Sequence, residues 1–327
     1  MIKYVRNLAV VAAAFLCAVY FSMAHAEGLI RLGLQTTPTD VLYQAKDWGQ
    51  PYGLKAEIST YSSAGDSLKA FLADQVDVVS AGSGRLVTMA AVQPEKFYII
   101  AVNEYGGDRY GLVVAPGAAY KKIGDLKGKK IGVVAGAGSY VTFLVYLKNH
   151  NLDAKDFQFV NMKHEDIPAA VSRGVVDAGL VWEPLVAIGE VSGTVTRMVS
   201  MKGVSESPNI FLVSRSYAKK HPDNLSKYIS TLLDRARLIK DDPKQAGTLV
   251  SEQLKKSGID IKPEAMTLAF ARLTVEPQVE MRLLDELTPL AQTMYDAGRI
   301  KTVPDFKGLV NTEFYDKAVQ LQKTANR

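Results

Sequence analysis

The chain has 327 residues, with 39 Lys and Arg against 34 Asp and Glu, and 47% of it is hydrophobic. That length allows two domains with full cores. Its charges are nearly balanced and interspersed, with no basic run beyond pairs such as Lys121-Lys122 and Lys129-Lys130, so nothing marks a nucleic-acid partner.

Residues 1–26 read as a cleaved signal peptide. Lys3 and Arg6 form a positive start and residues 8–21 an apolar run; Ala24-His25-Ala26 then places small residues where a signal peptidase reads, so cleavage is expected after Ala26. The apolar run is shorter than the roughly 20 residues of a spanning helix. Cys17, the only cysteine, lies inside that run behind Phe15-Leu16, without the small residue a lipoprotein signal places there. The remaining chain therefore has no disulfide framework, thiolate metal site or cysteine nucleophile. Losing Lys3 and Arg6 lowers the formal charge from +5 to +3.

After the leader, one succession of elements occurs twice. The strand Ile30–Leu34 leads through a polar loop to a helix, a strand over 56–60, a helix from Asp66 and the strand Val76–Val79. The strand Lys130–Val134 leads through a glycine-rich loop to a helix over 139–148, a strand over 157–161, a helix after Asp166 and a strand over 176–180. Asp66 and Asp77 have the same spacing as Asp166 and Asp177, with Ala70 and Ala170 between them. Strand and helix alternating in this way predict an α/β protein with two open, mostly parallel sheets. Ser63-x-x-Asp66 fits a capping box ahead of the apolar stripe Leu68, Phe71 and Leu72. Asp166 ahead of Pro168 fits a helix cap.

The stretch Pro116–Gly128, rich in Gly and Lys, reads as one crossing between two lobes, and Gly203–Pro208 as a second. From Tyr217 onward, helices are predicted over 225–240, 243–256, 263–273 and 278–297, packing on the first lobe. The expected division is 27–115 plus 214–327 for lobe one and 116–213 for lobe two.

Ligands of open α/β sheets collect beyond the carboxyl ends of the strands, where helix N-termini present unpaired N–H groups. Gln35-Thr36-Thr37, Ser62-Ser63-Ala64, Gly82-Ser83-Gly84-Arg85 and Gly136-Ala137-Gly138-Ser139-Tyr140 all have that placement. Their small residues let the backbone approach a ligand, and their hydroxyls donate hydrogen bonds. Facing one another, loops from both halves would form a polar cleft for an anion, although each alone reads equally as an ordinary strand-to-helix turn. Trp182-Glu183-Pro184 closes an apolar strand. There Glu183 holds either a ligand cation or a salt bridge, across the lobes or to a local Arg, and Trp182 either stacks on the ligand or packs beneath the loop. Arg85 and Arg109 are anion partners or solvent-facing charges.

Gly136-Ala137-Gly138 opens like a dinucleotide fingerprint, but Val141 stands at its third glycine and no acidic residue closes the next strand, so no cofactor is expected. His150, His164 and His221 lack metal-site spacing, and no G-x-S-x-G elbow occurs. Neither a metal nor an enzymatic function is expected.

Taken in order, the motifs resemble the periplasmic solute-binding proteins of the nitrate/sulfonate/taurine class of ABC importers, which includes thiamine-pyrimidine-binding relatives. Residues 64–77 are similar to that family's glycine-led helix ending in G-x-V-D, with Asp74-Gln75 in place of the usual glycine. Residues 123–133 match its DLKGKKIGV signature, and Gly174 to Ala178 with Trp182-Glu183-Pro184 match its G-x-V-D-A and W-E-P stretch. The tail from His221-Pro222 to Ala246 resembles its helical region.

The resemblance covers nearly all of the chain beyond the leader. It implies a two-lobed periplasmic-binding fold with two crossings, and binding loops at Gln35, Thr36, Ser62, Ser63, Gly82, Ser83, Gly138, Ser139, Trp182 and Glu183. It also implies a periplasmic substrate-binding subunit, expected to be monomeric, that closes over a small organic anion and serves a membrane permease with separate ATPase subunits. An alkyl or aryl sulfonate, taurine-like, is the expected ligand. Nitrate, an aromatic carboxylate, a pyrimidine-type ligand and an enzyme on the same fold are the alternatives.

Overall fold

The computed structural model describes residues 29–325, so the expected signal peptide lies outside the described residues. The first part of the chain forms β1 (Leu29–Leu34), α1 (Pro38–Gln44), β2 (Lys55–Thr60), α2 (Ala64–Leu72), β3 (Val78–Gly82), α3 (Ser83–Val92) and β4 (Phe97–Glu104). The middle forms β5 (Tyr110–Val114), β6 (Lys130–Val133), α4 (Gly138–Asn149), β7 (Gln158–Asn161), α5 (Ile167–Ser172), β8 (Ala178–Trp182), α6 (Leu185–Ser192) and β9 (Thr196–Ser200). Next come β10 (Asn209–Ser214), α7 (Arg215–Lys220), α8 (Pro222–Asp241), α9 (Pro243–Lys256) and α10 (Pro263–Phe270). The last helices are α11 (Met281–Asp285), α12 (Leu287–Asp296) and α13 (Glu313–Ala325). Among the described residues, no helix is long and apolar enough to cross a membrane.

The strands form two five-stranded sheets, ordered β2-β1-β3-β10-β4 and β7-β6-β8-β5-β9. These are the same order once β6, β7, β8, β5 and β9 are laid on β1, β2, β3, β10 and β4. The repeated succession in the sequence is therefore a repeated topology. Both sheets are mixed: β10 and β5 run antiparallel to both of their neighbours. The repeated aspartates perform one task twice. Asp77 accepts the Arg31 N–H at 2.9 Å, and Asp177 accepts the Lys130 N–H at 3.0 Å. Each thus satisfies a backbone donor where β1 or β6 begins, a structural duty for the G-x-V-D-like segments.

The sheets correct both lobe boundaries. β5 belongs to the second sheet, so the first crossing is Tyr105–Arg109 and not Pro116–Gly128. β10 belongs to the first sheet, so the second crossing spans residues 201–208, and 209–213 leave lobe two. Proximity in sequence hid this, because β5 and β10 each pair antiparallel with strands laid down much later or much earlier. The crossings are bound to each other: the Gly106 N–H donates to the Glu206 carbonyl at 2.8 Å. Gly107 has no room for a side chain, since a Cβ there would stand 2.2 Å from the Met201 carbonyl oxygen.

Central strands are apolar on both faces. Ile210 and Leu212 enter the core on one side of β10, while Phe211 and Val213 enter the core on the other. The tail helices cover both faces of the first sheet, α8 and α9 through Leu225, Ile229 and Val250, and α11 and α12 through Leu283, Leu284 and Leu287. α10 also packs against α6 of the second unit.

Candidate ligand-binding cleft

A cleft of about 640 Å³ opens between the two sheets. Its first-sheet wall holds Gln35, Ser62, Ser63 and Arg85, and its second-sheet wall Gly138, Ser139, His164 and Trp182. Of the residues singled out from sequence, Gln35, Ser62, Ser63, Gly82, Arg85, Gly138, Ser139 and Trp182 are brought together here.

Four are not. Thr36 is exposed and does not line the cleft, while its neighbour Thr37 lines it and caps α1. The Ser83 hydroxyl is buried and donates to the Pro208 carbonyl at 3.2 Å. Tyr140 packs edge-on against Phe159 within the second core. Glu183 is buried at the interface between the sheets, bound to Arg272 and to the Ala187 N–H.

The helix ends at the cleft differ in one way that matters. Ser63 caps α2, accepting the Asp66 N–H at 3.2 Å and donating to the Asp66 carboxylate at 2.7 Å. The N-termini of α3 and α4 have no side-chain cap. They belong to different sheets, and they meet: a methyl group at Gly84 would stand 3.0 Å from the Gly136 carbonyl oxygen. Uncapped first-turn N–H groups carry the positive end of the helix dipole and attract an anion. Arg85 adds a guanidinium to the cleft beside the start of α2, where a Cβ at Gly65 would lie 3.6 Å from its Nη2, and among the described residues it makes no ion pair.

Buried polar atoms without a partner line the same cleft. The Ser139 Oγ, the Asn209 Oδ1 and the Arg109 Nε have none, and all three residues line the cleft. Buried polar groups are nearly always hydrogen-bonded, so these atoms fit contacts that a ligand would complete. Both Nη atoms of Arg109 are engaged: Nη1 pairs with Glu104 at 2.7 Å, and Nη2 donates to Tyr110 Oη at 2.7 Å and to the Ser207 carbonyl. Thr39 donates to Glu104 at 2.7 Å. Behind this lies Asp40, which accepts the Gln35 N–H at 2.8 Å and Asn103 Nδ2 at 2.9 Å, and Arg235 donates to Asn103 Oδ1 at 2.9 Å. Burial pushes Asp40 up to about 6. The network fixes the Gln35 loop and both crossings beneath the cleft.

His164 and Trp182 form a stacked pair, with ring centroids 3.3 Å apart and 5° between their planes. The Trp182 N–H donates to His164 Nε2 at 3.1 Å, which requires the neutral ring. Burial pushes the imidazole down to about 3, in agreement. Among the described residues, no cluster of His, Cys, Asp and Glu has a metal-binding arrangement.

Thr37, in the loop singled out after β1, lines the cleft, but sequence reasoning did not single out Glu104, Asn161, His164 or Asn209 as cleft residues. Glu104 and Asn161 end β4 and β7, so the rule of carboxyl ends would have found them. Asn209 begins β10, and it reaches the same edge only because that strand is antiparallel.

Two sheets of one topology, joined by two crossings and separated by a cleft, define the two-lobed periplasmic-binding-protein fold. The model of the NMT1/THI5-like family matches residues 40–246, and the chain belongs to that family. It is similar to the taurine-binding periplasmic protein of Escherichia coli (strain K12), 25% identical over 200 residues that cover 60% of this chain and 61% of that one. A Bacillus subtilis (strain 168) relative whose name points to aliphatic sulfonates is 23% identical over 302 residues, covering 89% of this chain and 88% of that one.

Solved structures repeat the fold. The alkanesulfonate-binding protein SsuA from Xanthomonas axonopodis pv. citri, bound to MOPS, superposes with a TM-score of 0.75 at 18% identity, over 87% of this chain and 98% of that one. The desulfurization enzyme DSZB superposes at 0.71 with 15% identity, over 90% of this chain and 100% of that one. This fold therefore carries both binding and catalysis.

Proposed function

We propose that the chain is the periplasmic substrate-binding subunit of an ABC importer and captures a small organic anion, a sulfonate, between its two lobes. The carrying observation is that the uncapped N-termini of α3 and α4, from different sheets, meet at one cleft beside the buried, unpartnered Ser139 hydroxyl. A sulfonate is a strong-acid anion with three acceptor oxygens, which suits donors converging from two lobes. A ligand that bridges both half-sites favours the closed form by its differential contacts. The closed form then delivers to a membrane permease driven by separate ATPase subunits. The names of the taurine- and alkanesulfonate-binding relatives support the sulfonate.

Binding rather than catalysis is supported by the polar groups themselves. His164 Nε2 is occupied by a backbone N–H, and the Ser139 hydroxyl has no base beside it. Among the described residues, no Ser or Thr hydroxyl is hydrogen-bonded to a histidine base, and the Ser63–Asp66 pair is a helix cap.

The test is a thermal-shift screen of refolded protein against sulfonates, nitrate, aromatic carboxylates and pyrimidines. A ligand at a hundred times its Kd adds about 2.7 kcal/mol of stability. The expected result is a rise in Tm with a sulfonate, reduced by Arg85→Ala, with the ligand recovered intact after incubation. A panel in which no anion raises Tm, or a sulfonate that is consumed, overturns the reading.

A further inference from the structure

The walls of the cleft are chemically unlike, and this narrows the ligand beyond its charge. On the second-sheet side, Val134 and Met162 flank the His164–Trp182 stack. The backbone bond from Trp182 to His164 ties the two rings together, and burial keeps the imidazole uncharged. The stacked rings offer a flat, uncharged face, with the exposed Lys163 and Glu165 beside them at the rim. The two helix ends lie where the lobes meet, with Arg85 on the first-sheet side and Lys163 on the second-sheet side of the same cleft.

The carboxylates decide the other end of the ligand. Taurine carries an ammonium group, and burying an ammonium without a paired carboxylate is costly. Three carboxylates line the cleft, Asp66, Glu104 and Glu165. Glu104 is held by Arg109 and Thr39, both at 2.7 Å. Asp66 is held by Ser63 at 2.7 Å and Lys69 at 3.1 Å. Glu165 is exposed at the rim, where water already solvates a cation. Glu183, the residue that a W-E-P stretch offers to a ligand amine, is fully buried and bound to Arg272 at 2.8 Å. No buried carboxylate of the described cleft is left for an ammonium group.

Size agrees. About 640 Å³ lies within the range of pockets for drug-sized ligands, and taurine is far smaller than such a ligand.

We propose that the cleft selects an aryl sulfonate without an ammonium group, its anionic head at the α3 and α4 N-termini and its ring against the His164–Trp182 wall. The inference rests on the anion-site reading above and fixes the body of the ligand. A ring stacked on that wall adds attraction that an alkyl chain of equal charge lacks.

The experiment is isothermal titration of the purified protein with benzenesulfonate, ethanesulfonate, taurine and benzoate. Benzenesulfonate is expected to bind tighter than ethanesulfonate by about tenfold, the worth of an aromatic contact. Taurine, ethanesulfonate with an added ammonium group, is expected to bind more weakly than ethanesulfonate. Ethanesulfonate or taurine binding as tightly as benzenesulfonate overturns this inference and leaves the anion site standing. Benzoate binding tighter than benzenesulfonate overturns the sulfonate head. Absence of binding by all four overturns the anion site as well. In Trp182→Ala the ratio of benzenesulfonate to ethanesulfonate affinity is expected to fall toward unity, and an unchanged ratio overturns the stacking wall. The ligand comparison on unaltered protein stands even where that variant folds poorly.

Discussion

The Arg272 guanidinium sits 2.8 Å from a Glu183 carboxylate oxygen and 2.7 Å from one of Glu190. Arg272 follows α10 in the tail that packs on the first sheet, and both glutamates belong to the second unit. One cation therefore joins the two lobes behind the cleft.

Removing it has a calculable cost. Glu183 is fully buried and Arg272 only 10% exposed, so Arg272→Ala strands a buried carboxylate. Breaking such a pair costs roughly 3 kcal/mol. Adding Glu183→Gln to Arg272→Ala removes the stranded charge and is expected to recover a large part of that loss. Urea unfolding of the two variants checks it. Equal stability of the single and double variants would contradict the account.

Ser139 separates folding from binding. Its hydroxyl is buried and unpartnered, so Ser139→Ala takes nothing from the ligand-free fold and relieves an unsatisfied group worth about 1–3 kcal/mol. The same change removes a donor from the cleft. The expected outcome is an unchanged or raised Tm without ligand, together with weaker binding of the sulfonate found in the screen. A lower Tm without ligand would show that Ser139 has a structural partner.

Gly84 gives a second opposition of signs. It lies in the first turn of α3, where Gly→Ala normally stabilises a helix by up to about 1 kcal/mol. Here the added methyl meets the Gly136 carbonyl at 3.0 Å, across the gap between the lobes. Gly84→Ala is expected to keep or raise Tm while weakening ligand affinity, measured by calorimetry. Full affinity would mean that the lobes need not approach this closely.

The pH dependence of stability carries two opposed contributions. Asp40 is raised by burial from 3.8 to about 6, so the native state holds this proton more tightly than the unfolded chain. The stability it contributes therefore falls as pH rises from about 4 to about 6. His164 is lowered by burial from 6.5 to about 3, so the unfolded chain binds the extra proton. Its share of stability is present above about 6.5 and is lost as pH falls toward 3. Relative to Asp40→Asn, the unaltered protein is expected to lose roughly 2 kcal/mol between about pH 4 and pH 7, by urea unfolding at each pH. A constant difference across that range would rule the Asp40 contribution out.

The site was legible where local chemistry fixes it. Ser63-x-x-Asp66 is a cap because a serine before a helix finds the N–H three residues on, and that needs only the local chain. The loops after β1, β3 and β6 reach the cleft because strands running one way end on one edge. Thr36 and Thr37 show the limit: they are neighbours in sequence, yet one is exposed and the other caps α1 at the cleft. A step of one residue in a loop reverses the side chain, and no pattern announces which one turns inward.

By itself the sequence determined the repeated α/β units, the helical tail and the glycine-rich loops that open on helix N-termini. These follow from hydrophobic period and from turn chemistry, both of which act over a few residues. Only the tertiary structure decided that β5 and β10 change sheets, that Glu183 is consumed by Arg272, and that Trp182 stacks on His164. Each of these depends on partners distant in the chain, and antiparallel pairing or burial of a charge is settled by which partner arrives, not by the residue itself.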